Sequence, residues 1–258
     1  MLAYERIGTG EPLLLLHGIA HRRQAWQPVV DRLAEHRELI LVDLPGHGES
    51  PSLKPWRRNP SEAIREELLA FIDEQGLDRP HVAGNSIGAR FALELAEAGA
   101  VRSCTLLSPG GFWYSRVDFL YTLGLFGTVM SVGTVLSPLA RRLTATRAGR
   151  AFLFFWLYGK PTRPEPDLAY GDYRGLLRAR PALLRFITEG APYKGTVGPD
   201  VPVTIGWGTR DLVLPRYQAR VARKRLPGAE LTMLPGCGHV PMGDDPERVA
   251  DLILKGSS

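Results

Sequence analysis

One serine in the sequence stands in a setting that would make it a nucleophile. Ser86 is the centre of the segment Gly84–Gly88, which reads G-N-S-I-G and follows the strand-like residues His81–Ala83. A sharp turn from a strand into a helix exposes its central side chain, and the flanking glycines relieve the crowding at that turn. The backbone N–H of Ile87 would then lie at a helix N-terminus, where it can stabilise a developing oxyanion. An ordinary serine in a turn is the alternative interpretation.

A serine hydroxyl is a poor nucleophile near neutral pH and needs a base within hydrogen-bond reach. His239 follows the predicted strand Leu231–Leu234, at a strand end of the kind where an open α/β sheet collects its functional residues. Asp211 follows the predicted strand Val201–Trp207 in the same way, and its carboxylate could hold the imidazole tautomer. A surface loop histidine and a helix-capping aspartate are the alternatives. We therefore predict His239 as the general base and Asp211 as the acid that orients it.

The elements that must position these residues are short strands that alternate with helices. Fully buried parallel strands are uninterrupted apolar runs, because helices cover both faces of their sheet. Such runs occur at Pro12–Leu16, Leu39–Val42, Val82–Ala83 and Thr105–Leu107, and the two strands near the C-terminus continue the pattern. The alternation predicts an α/β fold, with a mostly parallel twisted sheet covered by helices on both faces.

Several helices between these strands have recognisable starts or faces. Residues Asn59–Glu62 offer an N-cap, a proline in the first turn and an acidic third position. The apolar residues that follow mark one helix face: Ile64, Leu68, Phe71 and Ile72. Further helices are predicted over Ile87–Ala98 and Arg216–Leu226, and a last one begins at Asp245. We leave Lys255–Ser258 out of the fold prediction as a tail.

The stretch from Gly111 to Thr196 breaks this rhythm. It has no clear strand, many aromatic residues and several prolines, so we predict a helical insertion. Its residues Phe119–Ala140 form a run of 22 without a charge, which is long enough to cross a membrane. Glycines and hydroxyl residues make the run only modestly hydrophobic, which favours a helical segment packed on the protein, and contact of this segment with a membrane surface is the alternative. The aromatic and aliphatic residues expected to line an apolar substrate pocket are Phe112, Trp113, Phe119, Tyr121, Leu125 and Phe126.

Composition excludes several classes of protein. The formal net charge is +5, but 32 Lys and Arg are set against 27 Asp and Glu spread along the chain, so we predict no nucleic-acid partner. Cys104 lies in an apolar run and is predicted to pack in the core, whereas Cys237 has no second base beside it to support a thiol mechanism. Because Met1–Glu11 shows no secretory signal, we expect a cytoplasmic protein. The predicted chemistry uses no metal and no cofactor.

The candidate residues occur in the order serine, aspartate, histidine, which is the order of the α/β-hydrolase fold. Over almost its whole length the sequence resembles the α/β-hydrolase superfamily, in its serine-nucleophile, esterase-like and lipase-like branch. His17-Gly18, after a predicted strand, resembles the oxyanion loop of that family, which implies that the Ile19 N–H is the second oxyanion donor beside that of Ile87. Asp43–Ser50 resembles a structural loop of the family, so neither Asp43 nor His47 is assigned a catalytic role. The resemblance implies an α/β-hydrolase core over residues 1–110 and 197–255, with a cap over residues 111–196 inserted before the acid.

The nucleophile distinguishes branches of the family. Epoxide hydrolases and haloalkane dehalogenases carry aspartate where this chain has Ser86, which argues against both. Hydrolases of meta-cleavage products, which cut carbon–carbon bonds, are similar at Gly84–Ser86 and Ser108–Gly111. Two positions depart from that branch, because Val240 follows the histidine where tryptophan is usual and Ile19–His21 lacks extra glycines.

The sequence therefore predicts a serine hydrolase that cleaves carboxylic esters through an acyl-enzyme intermediate. The expected partner is a small apolar ester or a lactone. One alternative is a carbon–carbon bond hydrolase of the meta-cleavage-product type. A further alternative is a small-molecule binding protein that keeps the three residues without turnover.

Overall fold

A single sheet of seven strands organises the protein. The computed structural model describes residues 1–52, 59–180 and 192–258. The strands are β1 (Tyr4–Ile7), β2 (Glu11–Leu16), β3 (Arg37–Val42), β4 (His81–Asn85), β5 (Ser103–Leu107), β6 (Val203–Gly208) and β7 (Glu230–Leu234). They lie in the order β1-β3-β2-β4-β5-β6-β7, with β1 antiparallel to β3 and every other neighbouring pair parallel. The predicted mostly parallel sheet is confirmed.

The central strands form the middle of the core. Each residue of Leu13–Leu16 and Leu39–Val42 is at most 1% exposed. Side chains on both faces of these strands are buried, which is why the strands are continuous apolar runs rather than alternating ones. Burying one such side chain contributes roughly 1.5–3 kcal/mol relative to leaving it in water. The strand ends, and the loops that follow them, are therefore held on a rigid layer.

Helices cover the two faces of the sheet. They are α1 (Gln27–Ala34), α2 (Pro60–Glu74), α3 (Ile87–Glu97), α8 (Gln218–Arg225), α9 (Pro241–Asp244) and α10 (Pro246–Gly256), with the cap helices α4 to α7 described below. Helix α1 packs on α10, and α2 packs on α3. The predicted start of α2 is confirmed, because the Asn59 side chain accepts a hydrogen bond from the Ser61 N–H and Pro60 opens the helix. The predicted face of α2 is buried as well.

A helical segment, called the cap below, lies between β5 and β6 in the chain. Its described helices are α4 (Arg116–Leu136), α5 (Ala140–Ala145), α6 (Arg147–Phe154) and α7 (Pro166–Arg178), with a 3-10 turn at Ser137–Leu139. Helix α7 packs against α4 and α5. No strand occurs in the described part of this segment. Part of the predicted insertion, residues 181–191, lies outside the described residues, and the boundaries at Gly111 and Thr196 stay predictions.

Two features of the fold differ from the sequence prediction. Strand β1 was not predicted, because it pairs only through β3 at the sheet edge and lacks a buried apolar run. The C-terminal residues are not a loose tail: α10 continues to Gly256, and Ser257 is 1% exposed with its carbonyl accepting a hydrogen bond from Arg37. A Cβ on Gly256 would lie 2.3 Å from Thr105 Oγ1, so the helix end packs closely on the sheet.

Candidate active site

The order of the strands brings two functional loops together. The chain leaves β2 towards β3 on one side and returns to β4 on the other, so the direction of winding reverses between β2 and β4. Ligands of open α/β sheets bind at such a reversal, beyond the carboxyl ends of the strands. Strand β2 leads there into His17 and Gly18, and β4 leads into Ser86.

The turn that carries Ser86 is strained and tightly packed. Ser86 has φ of 57° and ψ of −115°, a conformation that non-glycine residues rarely adopt and that is found at functional sites. A Cβ on Gly84 would lie 2.4 Å from the Gly88 carbonyl oxygen, and one on Gly88 would lie 2.2 Å from the Leu16 oxygen. Both glycines are therefore required by backbone contacts, and Ser86 is presented between β4 and the start of α3.

His239 and Asp211 meet at the ends of the last two strands. His239 Nδ1 donates to Asp211 Oδ2 over 2.9 Å, and both residues are at most 4% exposed. The other carboxylate oxygen of Asp211 accepts from the N–H groups of Val213 and Leu214, at 2.9 and 2.8 Å. Oδ1 thus caps the turn while Oδ2 holds the imidazole, so Asp211 makes both the capping contact and the contact to His239. Within the described residues His239 Nε2 has no hydrogen-bond partner, and this nitrogen is left to act as an acceptor.

The loop that carries His239 is anchored by two residues that sequence reasoning missed. Asn85 Nδ2 donates to the His239 carbonyl at 2.9 Å and to the Leu107 carbonyl at 3.1 Å. Asp244 accepts from the N–H of Gly238 at 2.7 Å. Both polar side chains are 0% exposed. Buried polar groups need hydrogen-bond partners, so Asn85, a polar residue directly after Val82–Gly84, could have been recognised. Asp244 stands among polar residues and carries no such local signal.

Asp244 also connects the cap to this loop. Its carboxylate accepts from the N–H of Gly159 at 2.8 Å and from the N–H of Lys160 at 2.6 Å. Burial raises the pKa of Asp244, while the backbone N–H groups act in the opposite direction. The residue holds three separate backbone donors in place around one buried carboxylate.

The loop after β2 is held by His17 in a defined tautomer. His17 Nε2 accepts from the Leu44 N–H at 3.0 Å, so the proton is on Nδ1, which donates to the Gly18 carbonyl at 2.8 Å. Burial, and then the neighbouring His47, lower the pKa of His17 well below its usual value, which keeps the ring neutral. The N–H and C=O of a trans peptide point in opposite directions. The Gly18 C=O and the Ile19 N–H belong to the same peptide. Because the C=O points towards the His17 ring, the Ile19 N–H points away from that ring.

This loop lies directly against Ser86. A Cβ on Gly18 would be 3.3 Å from Ser86 Cβ, so only glycine allows the approach. In the part of the chain that the structure describes, neither the Ile19 N–H nor the Ile87 N–H donates a hydrogen bond within the protein. These two amides remain the candidates for binding an oxyanion.

The Asp43 loop is occupied with structural contacts. The Asp43 carboxylate accepts from the backbone N–H of Arg23 at 2.6 Å and of Glu49 at 3.0 Å, and it pairs with the Arg23 guanidinium. His47 Nδ1 donates to the Pro45 carbonyl at 3.1 Å. This agrees with assigning no catalytic role to Asp43 or His47.

A cavity of about 350 Å³ opens beside Ser86. Three of the six predicted pocket residues line it, namely Trp113, Phe119 and Phe126, together with Thr122 and Leu123 of the same cap segment. The members on α4 follow the spacing i, i+3, i+4, i+7 and therefore share one helix face. Charged residues of α2 and α3 line another part of the wall, among them Arg65, Arg90 and Glu94.

The other three predicted pocket residues do not lie in this lining. Phe112 is 1% exposed and packs against Tyr193, with ring centroids 5.8 Å apart. The Tyr121 hydroxyl donates to the Leu212 carbonyl at 2.6 Å, and Leu125 packs against the hydrophobic core. On α4 the reason is periodicity, because positions 121 and 125 point away from the face that carries Phe119 and Phe126.

Residues 13–252 match the sequence model of the alpha/beta hydrolase family. The chain belongs to the alpha/beta hydrolase family. Among the described residues no group of three or more His, Cys, Asp or Glu residues is placed to hold a metal ion.

Relatives within the alpha/beta hydrolase family include esterases and lipases. A pimeloyl-[acyl-carrier protein] methyl ester esterase of Nitrosospira multiformis is 28% identical over 272 residues, covering 98% of this chain and 97% of the relative. Lipase 1 of Psychrobacter immobilis is 27% identical over 253 residues, covering 94% of this chain and 75% of the lipase. The crystal structure of a membrane phospholipase A has a TM-score of 0.76 at 24% identity, covering 99% of this chain and 83% of that one, and shares the fold. The protein is thus a hydrolase-family member with esterase-like and lipase-like homologues.

Proposed function

We propose that this protein is a serine hydrolase that cleaves carboxylic esters through a covalent acyl-enzyme. One observation carries the proposal. Ser86, on its strained turn, lines the same small cavity as His239, whose ring is held by Asp211 through a 2.9 Å hydrogen bond. A nucleophile, a base with a free nitrogen and an orienting carboxylate are the parts that acyl transfer requires.

Each group has a defined task in this mechanism. His239 Nε2 takes the proton of the Ser86 hydroxyl as the oxygen attacks the carbonyl carbon of the ester. The N–H groups of Ile19 and Ile87 bind the resulting oxyanion. Asp211 stabilises the imidazolium, which then gives its proton to the departing alcohol. Water activated by the neutral imidazole attacks the acyl-enzyme and releases the acid, so the enzyme returns to its starting state.

The larger cavity indicates an apolar acyl group. Aromatic and aliphatic side chains on one face of α4 line it, and Val213 and Leu214 continue that wall. Its volume of about 350 Å³ can take a medium-length chain, and each buried methylene contributes about 0.8 kcal/mol, or roughly fourfold in binding. A lactone with an apolar ring would use the same wall. The homologous methyl ester esterase and lipase support ester cleavage as the reaction class.

A fluorophosphonate probe and a panel of substrates test this proposal. The probe should label Ser86, located by mass spectrometry of the peptide, and should spare Ser86→Ala. The panel holds methyl esters of acids from acetate to dodecanoate, lactones and a dienone acid of the meta-cleavage type, with acid release followed by titration. We expect kcat/KM to rise from acetate to medium chains and to fall beyond them. Labelling without turnover would favour a binding protein, and turnover of the dienone acid alone would favour carbon–carbon cleavage.

A further inference from the structure

Two cavities meet at the nucleophile, and only one of them reaches the general base. Both are lined by Ile19, Ser86 and Phe126. In the described part of the chain, His239 belongs to the lining of the smaller cavity and not to that of the larger one. The rest of the smaller lining comes mainly from the oxyanion loop and the cap, including Trp156 and Leu176.

The position of His239 decides which part of an ester each cavity receives. The imidazolium must give its proton to the oxygen of the departing alcohol, so that oxygen has to lie within hydrogen-bond reach of Nε2. The alcohol therefore leaves on the side of the smaller cavity. The acyl chain, on the other side of the carbonyl carbon, then extends into the larger cavity lined by α4.

The smaller cavity has room for very little. Its volume is about 10 Å³, which is the space of about one water molecule. Its walls include Trp156, Leu157 and Leu176, each at most 5% exposed and packed in the core. Such walls are close-packed and do not yield to a long chain without strain.

The polar atoms of this cavity fit a small hydroxyl group. His21 Nδ1 and Asp172 Oδ1 lie 3.5 Å apart, both residues are at most 4% exposed, and among the described residues neither atom has a hydrogen-bond partner. Buried polar atoms that make no hydrogen bond favour an occupant that can both donate and accept. Water and the smallest alcohols meet that requirement. Water must also approach from this side, since the same imidazole activates it in the second half of the reaction.

We infer that the substrates are esters of very small alcohols, methanol or ethanol, with a medium-length apolar acid. The inference rests on the proposed ester hydrolysis and adds the identity of the leaving group. It separates this protein from an enzyme that acts on glycerol esters or on long alkyl esters, whose alcohols would not fit beside His239.

The test is a series of octanoate esters in which only the alcohol changes. Methyl, ethyl, butyl and octyl octanoate are compared by titration of the released acid. We expect kcat/KM to fall at least tenfold from methyl to butyl, since three added carbons have no space beside His239. Equal rates across the series would overturn the inference and leave ester hydrolysis standing. No hydrolysis of any ester, together with no labelling by the fluorophosphonate, would overturn the proposed function and the inference with it.

Two matched leucine variants locate the effect. Leu176→Ala enlarges the smaller cavity, and Leu123→Ala removes the same atoms from the wall of the larger one. The ratio of butyl to methyl ester turnover should rise at least fivefold in Leu176→Ala and stay unchanged in Leu123→Ala. The opposite pattern would place the alcohol in the larger cavity and refute the assignment.

A separate observation concerns the outer face of α4. By length and composition, Arg116–Ala145 is the one segment of the described chain that could cross a membrane, with mean hydropathy 1.7, and only 17% of its most apolar window is buried. Large apolar side chains along its outer side are exposed: Val117, Leu120, Val132, Val135 and Leu139. The inner side is occupied, because Phe126 and Met130 are buried and Phe126 lines both cavities. A helix fixed in this way can lie on a membrane surface but cannot leave the protein to cross it without dismantling the site.

The charges around this helix favour an anionic surface. Between residues 116 and 147 the sequence has four arginines, all of them exposed, and one acidic residue, Asp118. Asp118 is engaged with the Tyr217 hydroxyl at 2.8 Å and the Tyr114 N–H at 2.8 Å. Arg141 and Arg142, just past the helix, are exposed. An exposed apolar helix beside cationic side chains is the pattern of interfacial attachment to anionic lipids, whereas pairing of two copies through α4 would bring like charges together.

We propose that the exposed face of α4 attaches the protein to an anionic lipid surface. Sedimentation with vesicles should show more bound protein with phosphatidylglycerol mixed into phosphatidylcholine than with phosphatidylcholine alone. The double variants Leu120→Ser/Val135→Ser and Arg141→Ser/Arg142→Ser should each lower the bound fraction several-fold. Arg223→Ser/Lys224→Ser on α8, an equal loss of surface charge, should not lower it. Binding that is absent, or equal for all variants, would refute the proposal, as would light scattering that shows α4 variants converting a dimer to a monomer.

Discussion

Replacing Asp244 with asparagine tests how the loop that carries His239 is held. The carboxylate accepts backbone N–H groups of Gly238, Gly159 and Lys160 at 2.6 to 2.8 Å. Two of these donors share Oδ2 and the third uses Oδ1. Gly238 immediately precedes His239, and Gly159 and Lys160 belong to the segment that follows α6. The substitution therefore changes the link between the cap and the His239 loop while keeping the shape of the side chain.

The expected cost follows from the three bonds. If the asparagine oxygen takes the place of Oδ2, two bonds survive without their charge, and the Lys160 N–H faces another donor. A buried unsatisfied donor costs about 1–3 kcal/mol, and a charged acceptor makes each bond roughly twice as strong as a neutral one. Burial raises the pKa of Asp244, so desolvation offsets part of the charge contribution. We expect the free energy of unfolding to fall by roughly 2–4 kcal/mol, which lowers Tm by about 4–16 °C in a domain of this size.

The assay compares Asp244→Asn with Asp245→Asn, the same change one residue later. The Asp245 side chain caps α10 by accepting from the Arg248 N–H, and asparagine caps a helix equally well, so this control should keep its Tm. At a temperature where both variants are folded, kcat on a methyl ester should fall about tenfold in Asp244→Asn, because the Gly238 bond that anchors the His239 loop loses its charged acceptor and is weakened. A Tm and a kcat that match the control would refute the reasoning.

Three further outcomes are expected. Ser86→Ala should fold normally and lose roughly 10⁴-fold or more in kcat on any accepted ester, and retained turnover would place the nucleophile elsewhere. Asp211→Asn should fold and lose most of its activity, because an amide favours the wrong imidazole tautomer, whereas near-native rates would exclude Asp211 as the orienting acid. Burial lowers the pKa of His17, so the unfolded chain binds a proton that the native state does not, and the free energy of unfolding should decline as pH falls below about 6.5. Urea unfolding between pH 7 and pH 5 should show a shallower decline for His17→Gln, and equal slopes would contradict that origin.

The residues proposed for catalysis could be predicted because each lies at the end of a strand that is recognisable locally. Ser86 is recognisable by the glycines at positions 84 and 88. A Cβ on Gly84 would meet the backbone at the start of α3, and a Cβ on Gly88 would meet the end of β2. Asp211 and His239 follow β6 and β7, and parallel strands bring their carboxyl ends to one edge of the sheet. Apolar runs and turn residues are short-range signals, so these positions did not depend on knowing the rest of the fold.

The sequence by itself therefore determined six of the seven strands, the order of the loops that follow them and the residues proposed for catalysis, and the tertiary structure decided the rest. Asp244 binds the N–H groups of Lys160 and Gly159, which lie 84 and 85 residues before it in the chain, and no local pattern encodes such contacts. The pocket prediction named Tyr121 and Leu125 because they are apolar or aromatic, yet only the packing of α4 decides which of its faces meets Ser86. The size of the space beside His239 is likewise set by side chains from the oxyanion loop and three cap segments at once. Cavities are the volume left between elements distant in sequence, so their shape follows from how those elements pack.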